Sequence, residues 1–137
     1  PGFEVKPIEQ VASGGERSRF MLAVRSILGQ AHGLSTLIFD EIDTGVSGKV
    51  ADQIGLELLA IAQHQQVITI THLPVIAARA NKHYLVEKAM DDHSTWTTIE
   101  EVEGKARTSA VASLIGNHRD TKVLEVAESL LSEGSKQ

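Results

Sequence analysis

The run Thr36-Leu37-Ile38-Phe39 is short and apolar, and it is followed at once by two adjacent carboxylates, Asp40 and Glu41. Such a run reads as a strand buried inside a sheet, with its carboxyl end opening on polar chemistry. A second run, Val67 to Thr71, is β-branched and ends at His72. Between the two, Val50, Ile54, Leu58 and Ile61 recur at helical spacing. Two buried strands joined through a helix pair in parallel, because a parallel pair needs a crossover connection. The chain is therefore expected to be α/β, with a mostly parallel sheet flanked by helices. In such sheets ligands sit beyond the carboxyl ends of the strands, which is where Asp40, Glu41 and His72 fall.

The remaining elements follow the same logic. After a Pro-containing lead-in, Pro1 to Gln10, a helix is expected from Ser13, with Glu16 three positions on as its capping-box partner. Phe20, Val24, Ile27, Leu28 and Ala31 form one apolar stripe along it, and Gly33 ends it. Gly45 and Gly48 mark a loop, and Pro74 opens a short helix reaching Ala80. Tyr84 to Glu87 and Trp96 to Val102 predict a strand pair around the turn Asp91-Asp92-His93-Ser94, the second strand a half-exposed edge. Helices over Ala106 to Ile115 and Val123 to Leu131 finish the chain, leaving Ser132 to Gln137 as a frayed tail. At 137 residues this predicts one domain, 1–137.

Composition narrows the functional classes. Cys is absent, which excludes disulfides and Cys-based zinc sites and suits a cytoplasmic protein. No apolar run approaches the ~18 residues of a membrane span, so no membrane partner is expected. The net charge of −5 argues against a broad DNA-binding surface on this chain. The first residues lack the basic and apolar regions of a signal peptide, and the missing Met predicts a piece of something longer.

An apolar strand that delivers Asp-Glu suits nucleotide hydrolysis. The first carboxylate holds Mg²⁺ and the second polarises the attacking water. His72 is placed to hydrogen-bond a terminal phosphate. The helix opened by Ser13-Gly14-Gly15 offers free backbone N–H groups and a positive dipole end to an anion. Each feature alone is common in proteins without such activity; the order in which they occur is more specific.

In that order Ser13-Gly14-Gly15-Glu16 is similar to the signature motif of ABC ATPases, and Leu37-Ile38-Phe39-Asp40-Glu41 to their Walker B strand. Asp43 matches the D-loop and His72 the H-loop. The chain resembles the RecN branch of the SMC-like (structural maintenance of chromosomes) group. The resemblance rests on Val11 to Glu16 with Ser18-Arg19, Phe39 to Gly48, Thr71-His72-Leu73-Pro74 with Ala77-Ala78, Val86-Glu87-Lys88, and Arg107 leading into Val111 to Gly116. It departs at Arg17, where the family more often has an apolar residue.

The resemblance implies the C-terminal lobe of an ABC/SMC-type head, a P-loop NTPase fold without its Walker A half. The nearest string, Gly45-Val46-Ser47-Gly48-Lys49-Val50, is too short between its glycines and has no Ser or Thr after the Lys. Gly48-Lys49 reads instead as a loop and helix start with Lys49 solvated. The implied cofactors are ATP and Mg²⁺, with Asp40 on the metal and Glu41 and His72 catalytic. Ser13, Gly14, Gly15, Glu16 and Asp43 would bind the nucleotide, with Ser13, Gly14 and Gly15 reaching across to the γ-phosphate on a facing head. The implied partners are an N-terminal Walker A lobe of the same protein, a second RecN-like head in a homodimer, and DNA through the full-length assembly. The implied setting is a bacterial cytoplasm, at the nucleoid, in double-strand break repair and recombination. Alone, the chain is expected to be inactive.

Rival classes are a metal-dependent nuclease or Toprim-like domain on Asp40, Glu41 and Asp43, and a non-catalytic head-dimerisation module. The nuclease would want an acid from another strand, and none ends Val67 to Thr71. Ser13, Asp40 and His72 also stand in the order of an α/β-hydrolase triad, but position 11 is Val where that elbow needs Gly. His32, His64, His83, His93 and His118 lack metal-ligand spacing and are assigned to the surface. Trp96 is assigned to edge-strand packing, and Arg17, Arg19 and Arg25 are placed near the expected head–head interface, either contacting the partner head or solvated.

Overall fold

The computed structural model describes residues 7, 11–46, 48–91 and 94–135, apart from the side chain of residue 30. The lead-in falls almost wholly outside these residues, as do Ser47, Asp92 and His93. Where the sequence led us to expect one domain, the chain divides after His72 into two compact units. The physical reason is local pairing: each unit holds its own two-stranded sheet.

In the first unit, helix α1 spans Gly14–Ala31, strand β1 Thr36–Asp40, helix α2 Lys49–Ala62 and strand β2 Gln66–Ile70. β1 and β2 pair in parallel, with Ile38 opposite Ile68 and Asp40 opposite Ile70. Helix α2 is the required crossover. It buries Ala51, Ile54, Gly55, Leu58 and Ile61, one stripe at helical spacing. Leu37 and Phe39 point into the same core, together with Leu22 of α1.

Two expectations about this unit are corrected. The stripe Phe20, Val24, Ile27, Leu28 and Ala31 is not the packed face of α1: Ile27 is 66% exposed and Phe20 52%. The helix packs instead through Leu22 and its small residues. A Cβ on Gly29 would sit 3.1 Å from a Leu37 methyl, so this face works by close approach. Nor do the described residues of this unit cover the sheet on both sides. Ile38, Ile68 and Ile70 lie on one face of the parallel pair, and all three are exposed.

In the second unit, helix α3 covers Pro74–Ala77, strands β3 and β4 cover Tyr84–Met90 and Thr95–Glu101, and helices α4 and α5 cover Gly104–Ile115 and Thr121–Gly134. β3 and β4 pair antiparallel, with Glu87 opposite Thr98. Trp96 is half exposed on β4, opposite Ala89. Val111 and Ala112 of α4 and Ala127 of α5 are fully buried, with Val123, Leu124, Leu130 and Leu131 packed around them. Asp120 caps α5, its side chain accepting from the Lys122 N–H at 2.9 Å.

Helix α3 ends at Ala77, earlier than expected, and beyond it the Ala78 and Ala80 carbonyls accept from the Arg107 guanidinium, at 3.2 and 2.6 Å. The tail expected to fray from Ser132 is helical to Gly134. Gly134 lies against the Ala78 backbone so closely that a Cβ there would stand 2.5 Å from the Ala78 carbonyl oxygen.

Candidate nucleotide-hydrolysis site

The parallel register brings the two strand ends side by side. Asp40 closes β1 opposite Ile70, and the Glu41 N–H then donates to the Ile70 carbonyl at 3.1 Å, extending the ladder by one bond. Both carboxylates are exposed. Glu41 adopts φ +49°, the only non-glycine with positive φ among the described residues. That left-handed conformation is costly for a side chain with a Cβ and tends to mark functional turns. It reverses the chain into a loop held by Thr44 N–H to Glu41 O and Val46 N–H to Asp43 O, both 3.1 Å. Ile42 and Val46 anchor the loop in the core.

Asp43 sits within this loop and is completely buried. Its Oδ2 accepts a short hydrogen bond from the Thr71 hydroxyl, just past the end of β2. The His72 Nδ1 lies 3.7 Å from the same oxygen, with the imidazole side chain 65% exposed. The loop after β1 and the segment after β2 are thus tied together through Asp43. The sequence pointed to Asp43 and His72 as separate elements. It placed Thr71 within the Thr71-His72-Leu73-Pro74 string but assigned it no role; its signal is a hydroxyl one position before the histidine.

Ser13 and Glu16 form the expected capping box. The Ser13 N–H and hydroxyl donate to Glu16 Oε2 at 2.8 and 2.9 Å, and the Glu16 N–H donates to Ser13 Oγ at 3.3 Å. The backbone and side-chain hydrogen bonds from Ser13 hold the Glu16 carboxyl below its usual range, with Arg19 adding to the effect. Gly14 and Gly15 rest on the loop that follows Glu41. A Cβ on Gly15 would approach a Val50 methyl to 3.2 Å, and one on Gly14 would touch the Thr44 and Gly45 carbonyls. Lys49 is exposed and begins α2 after Gly48 at φ +54°, a loop-to-helix junction as expected.

The donor chemistry can be weighed against a magnesium nucleotide. Among the described residues no group of three His, Asp or Glu side chains could hold a metal by itself. Mg²⁺ commonly takes one or two carboxylates and fills its remaining positions with water and phosphate oxygens. An exposed Asp40 at a sheet end fits that role.

Other assigned residues separate by environment. Arg19 reaches Gln53 at 3.4 Å, and Arg25 donates to the Ile38 carbonyl at 3.4 Å while lying 6.0 Å from the Phe39 ring centroid. His32, His64 and His118 are exposed, as expected. His83 is corrected. It is partly buried, its Nδ1 lacks a hydrogen-bond partner, and burial, with the Arg107 charge second, pushes its pKa below the ordinary histidine value. A cavity of about 230 Å³ in the second unit is lined by His83, Lys82, Glu101, Glu103 and Arg107 and holds none of the residues assigned to the nucleotide site.

The fold is similar to that of an SMC ATPase. A solved SMC ATPase structure, from work on ATP-driven dimerization and DNA-stimulated activation, superposes with a TM-score of 0.56 at 23% identity over 99% of this chain and 69% of its own. The sequence is more specific: over almost its whole length the chain is similar to the C-terminal region of DNA repair protein RecN. The relative from Treponema pallidum (strain Nichols) is 39% identical over 99% of this chain. Those from Deinococcus radiodurans and Streptomyces coelicolor are each 39% identical over 96%. The chain spans only 24%, 23% and 23% of these three proteins. No family model matches it. No described helix is long and apolar enough to cross a membrane.

Proposed function

We propose that the chain is the C-terminal half of an ATP-hydrolysing head of a RecN-like protein acting in DNA double-strand break repair, in a bacterial cytoplasm at the nucleoid. The observation that carries this is the parallel register of β1 and β2. It sets Asp40-Glu41 beside Thr71-His72 at one sheet end, with Asp43 tied to Thr71 across the gap. Asp40 would hold Mg²⁺ and Glu41 would take the proton of the attacking water. His72 would donate to the terminal phosphate. Bound there, Mg-ATP would supply the phosphoryl group, and the metal would offset the phosphate charge while Asp40, Glu41 and His72 would orient the metal, the water and the terminal phosphate.

The rest of the site comes from elsewhere. A Walker A lobe of the same protein would cradle the phosphates. The uncovered apolar faces of α1 and of the β1–β2 sheet support such a lobe, since large exposed apolar patches mark interaction surfaces. Ser13, Gly14, Gly15 and Glu16, with the Asp43 loop, would face the nucleotide of a second head, giving a homodimer that closes on ATP. DNA would be engaged by the full-length assembly.

The direct test mixes this chain with the segment of its full-length protein that carries the Walker A motif and measures ATP hydrolysis with and without DNA. Turnover by the mixture and by neither part alone is expected. Hydrolysis by this chain alone, or ATP-independent and metal-dependent DNA cleavage, would overturn the assignment.

A further inference from the structure

We propose that Asp43 positions His72, holding its imidazole with the proton on Nδ1 and Nε2 turned outward, and that Thr71 fixes the Asp43 carboxylate for this task. The proposal rests on the ATPase role given to His72 above. Its grounds are the burial and pairing of one side chain. Asp43 is fully buried, yet only its Oδ2 has a partner, the Thr71 hydroxyl, and its Oδ1 is buried with none. A buried carboxylate with an unused oxygen is a strong acceptor awaiting a donor. The His72 Nδ1 lies 3.7 Å from the Oδ2 of this same carboxylate, a shift of under about 1 Å from hydrogen-bond distance.

The surroundings restrict which group moves. Ile42 and Val46 are buried on either side of Asp43, and the turn bonds from Thr44 and Val46 hold the loop backbone. The imidazole is the exposed partner. A carboxylate fixed behind one ring nitrogen sets the tautomer and the ring orientation, as it does for metal-bound and catalytic histidines. Because Asp43 lies in the short loop that begins at Glu41, directly after Asp40 closes β1, His72 is aligned on the backbone that presents both carboxylates. Asp43 acts through His72 in this scheme and is a positioning residue.

The test uses the full-length protein with ¹⁵N-labelled histidine and compares wild type, Asp43→Asn, Thr71→Val, Thr71→Ser and His72→Ala. The His72 signal, assigned by its loss in His72→Ala, should report the Nδ1-protonated tautomer in the wild type. Asp43→Asn should lower kcat by about 10–100-fold with KM for ATP nearly unchanged. Thr71→Val should lower kcat and Thr71→Ser should restore it. Asp43→Asn placed on His72→Ala should add almost nothing. An Nε2-protonated wild-type His72, or a full multiplicative loss in the double variant, overturns the positioning role and leaves the ATPase assignment standing. Undiminished turnover in His72→Ala overturns the role of His72 itself. The wild-type tautomer decides the matter even if a variant fails to fold.

Discussion

The Glu41 N–H donates to the Ile70 carbonyl at 3.1 Å while Glu41 itself sits at φ +49°. The last rung of the parallel ladder and the backbone reversal therefore occur at the same residue. Its side chain is thrown out at the sheet end at the expense of local conformational energy.

This separates stability from activity at Glu41. Glu41→Gln keeps the size and the backbone demand, so it should fold normally, bind ATP, trap closed head dimers and lose about a hundredfold or more in turnover. Glu41→Gly should be equally inactive yet more resistant to urea by up to about 1 kcal/mol, because glycine tolerates positive φ. Single-turnover kinetics and equilibrium unfolding check the pair; a Glu41→Gly protein less stable than Glu41→Gln would refute the strain argument.

The capping box predicts a specific acid sensitivity. The Glu16 carboxyl is held below its usual range by hydrogen bonds from Ser13. A depressed carboxyl contributes stability that is complete above its unfolded value, 4.5, and fades as pH falls through the lower folded value. Urea unfolding of wild type and Glu16→Gln should therefore differ at neutral pH and converge as the solution is acidified past 4.5. Ser13→Ala should lower the midpoint at neutral pH and flatten the same dependence.

His83 predicts a slope in a different window. Its folded pKa lies below 6.5 through burial, with Arg107 second, so the unfolded chain takes up the proton first. Stability should be full above 6.5, decline as pH drops below it, and level off beneath the folded pKa. His83→Gln should lose that slope. Arg107→Ala should soften it while costing about 1–3 kcal/mol, since the Ala78 and Ala80 carbonyls lose a charged donor. NMR titration of His83 alongside thermal unfolding tests both statements.

Gly134 is required by close approach. A methyl there would meet the Ala78 carbonyl oxygen at 2.5 Å, so Gly134→Ala must displace the end of α5. We expect a loss of about 1–3 kcal/mol, despite the higher helix propensity of alanine. A more stable Gly134→Ala protein would show that this helix end does not pack on Ala78.

The outward face of α1 predicts the opposite balance. Phe20 and Ile27 are more than half exposed, so Phe20→Ser with Ile27→Ser should leave the melting of this chain almost unchanged. The same pair should abolish co-purification with the segment carrying the Walker A motif. Retained assembly would move the lobe interface elsewhere.

Much of the fold was legible in local patterns. The runs around Leu37 and Val67, the helix through Ile54 and Leu58, and the Ser13-Glu16 box each draw on interactions within a few residues, and each appears where the sequence indicated. The order of the motifs around Ser13, Asp40, Asp43 and His72 likewise carried the RecN likeness, which holds along the chain. The parallel sense of the β1–β2 pairing was legible too, but the packing of side chains across distance was not. Periodicity marks an apolar stripe on α1 but not which side packs, and the small face of Leu22 and Gly29 won by permitting closer approach. His83 passed as a surface histidine because its burial comes from the tertiary fold of its unit, and Arg107 found its carbonyl partners 27 and 29 residues away.

Glu41 and its neighbours divide the same way. The sequence alone determined that two carboxylates would stand at the end of an apolar strand, because composition and spacing act along the chain. Only the tertiary structure decided the register that sets Asp40 opposite Ile70, that Glu41 would turn with positive φ, and that Thr71 would reach Asp43. Those depend on the crossover helix burying Ile54 and Leu58, an energy term that no single segment contains.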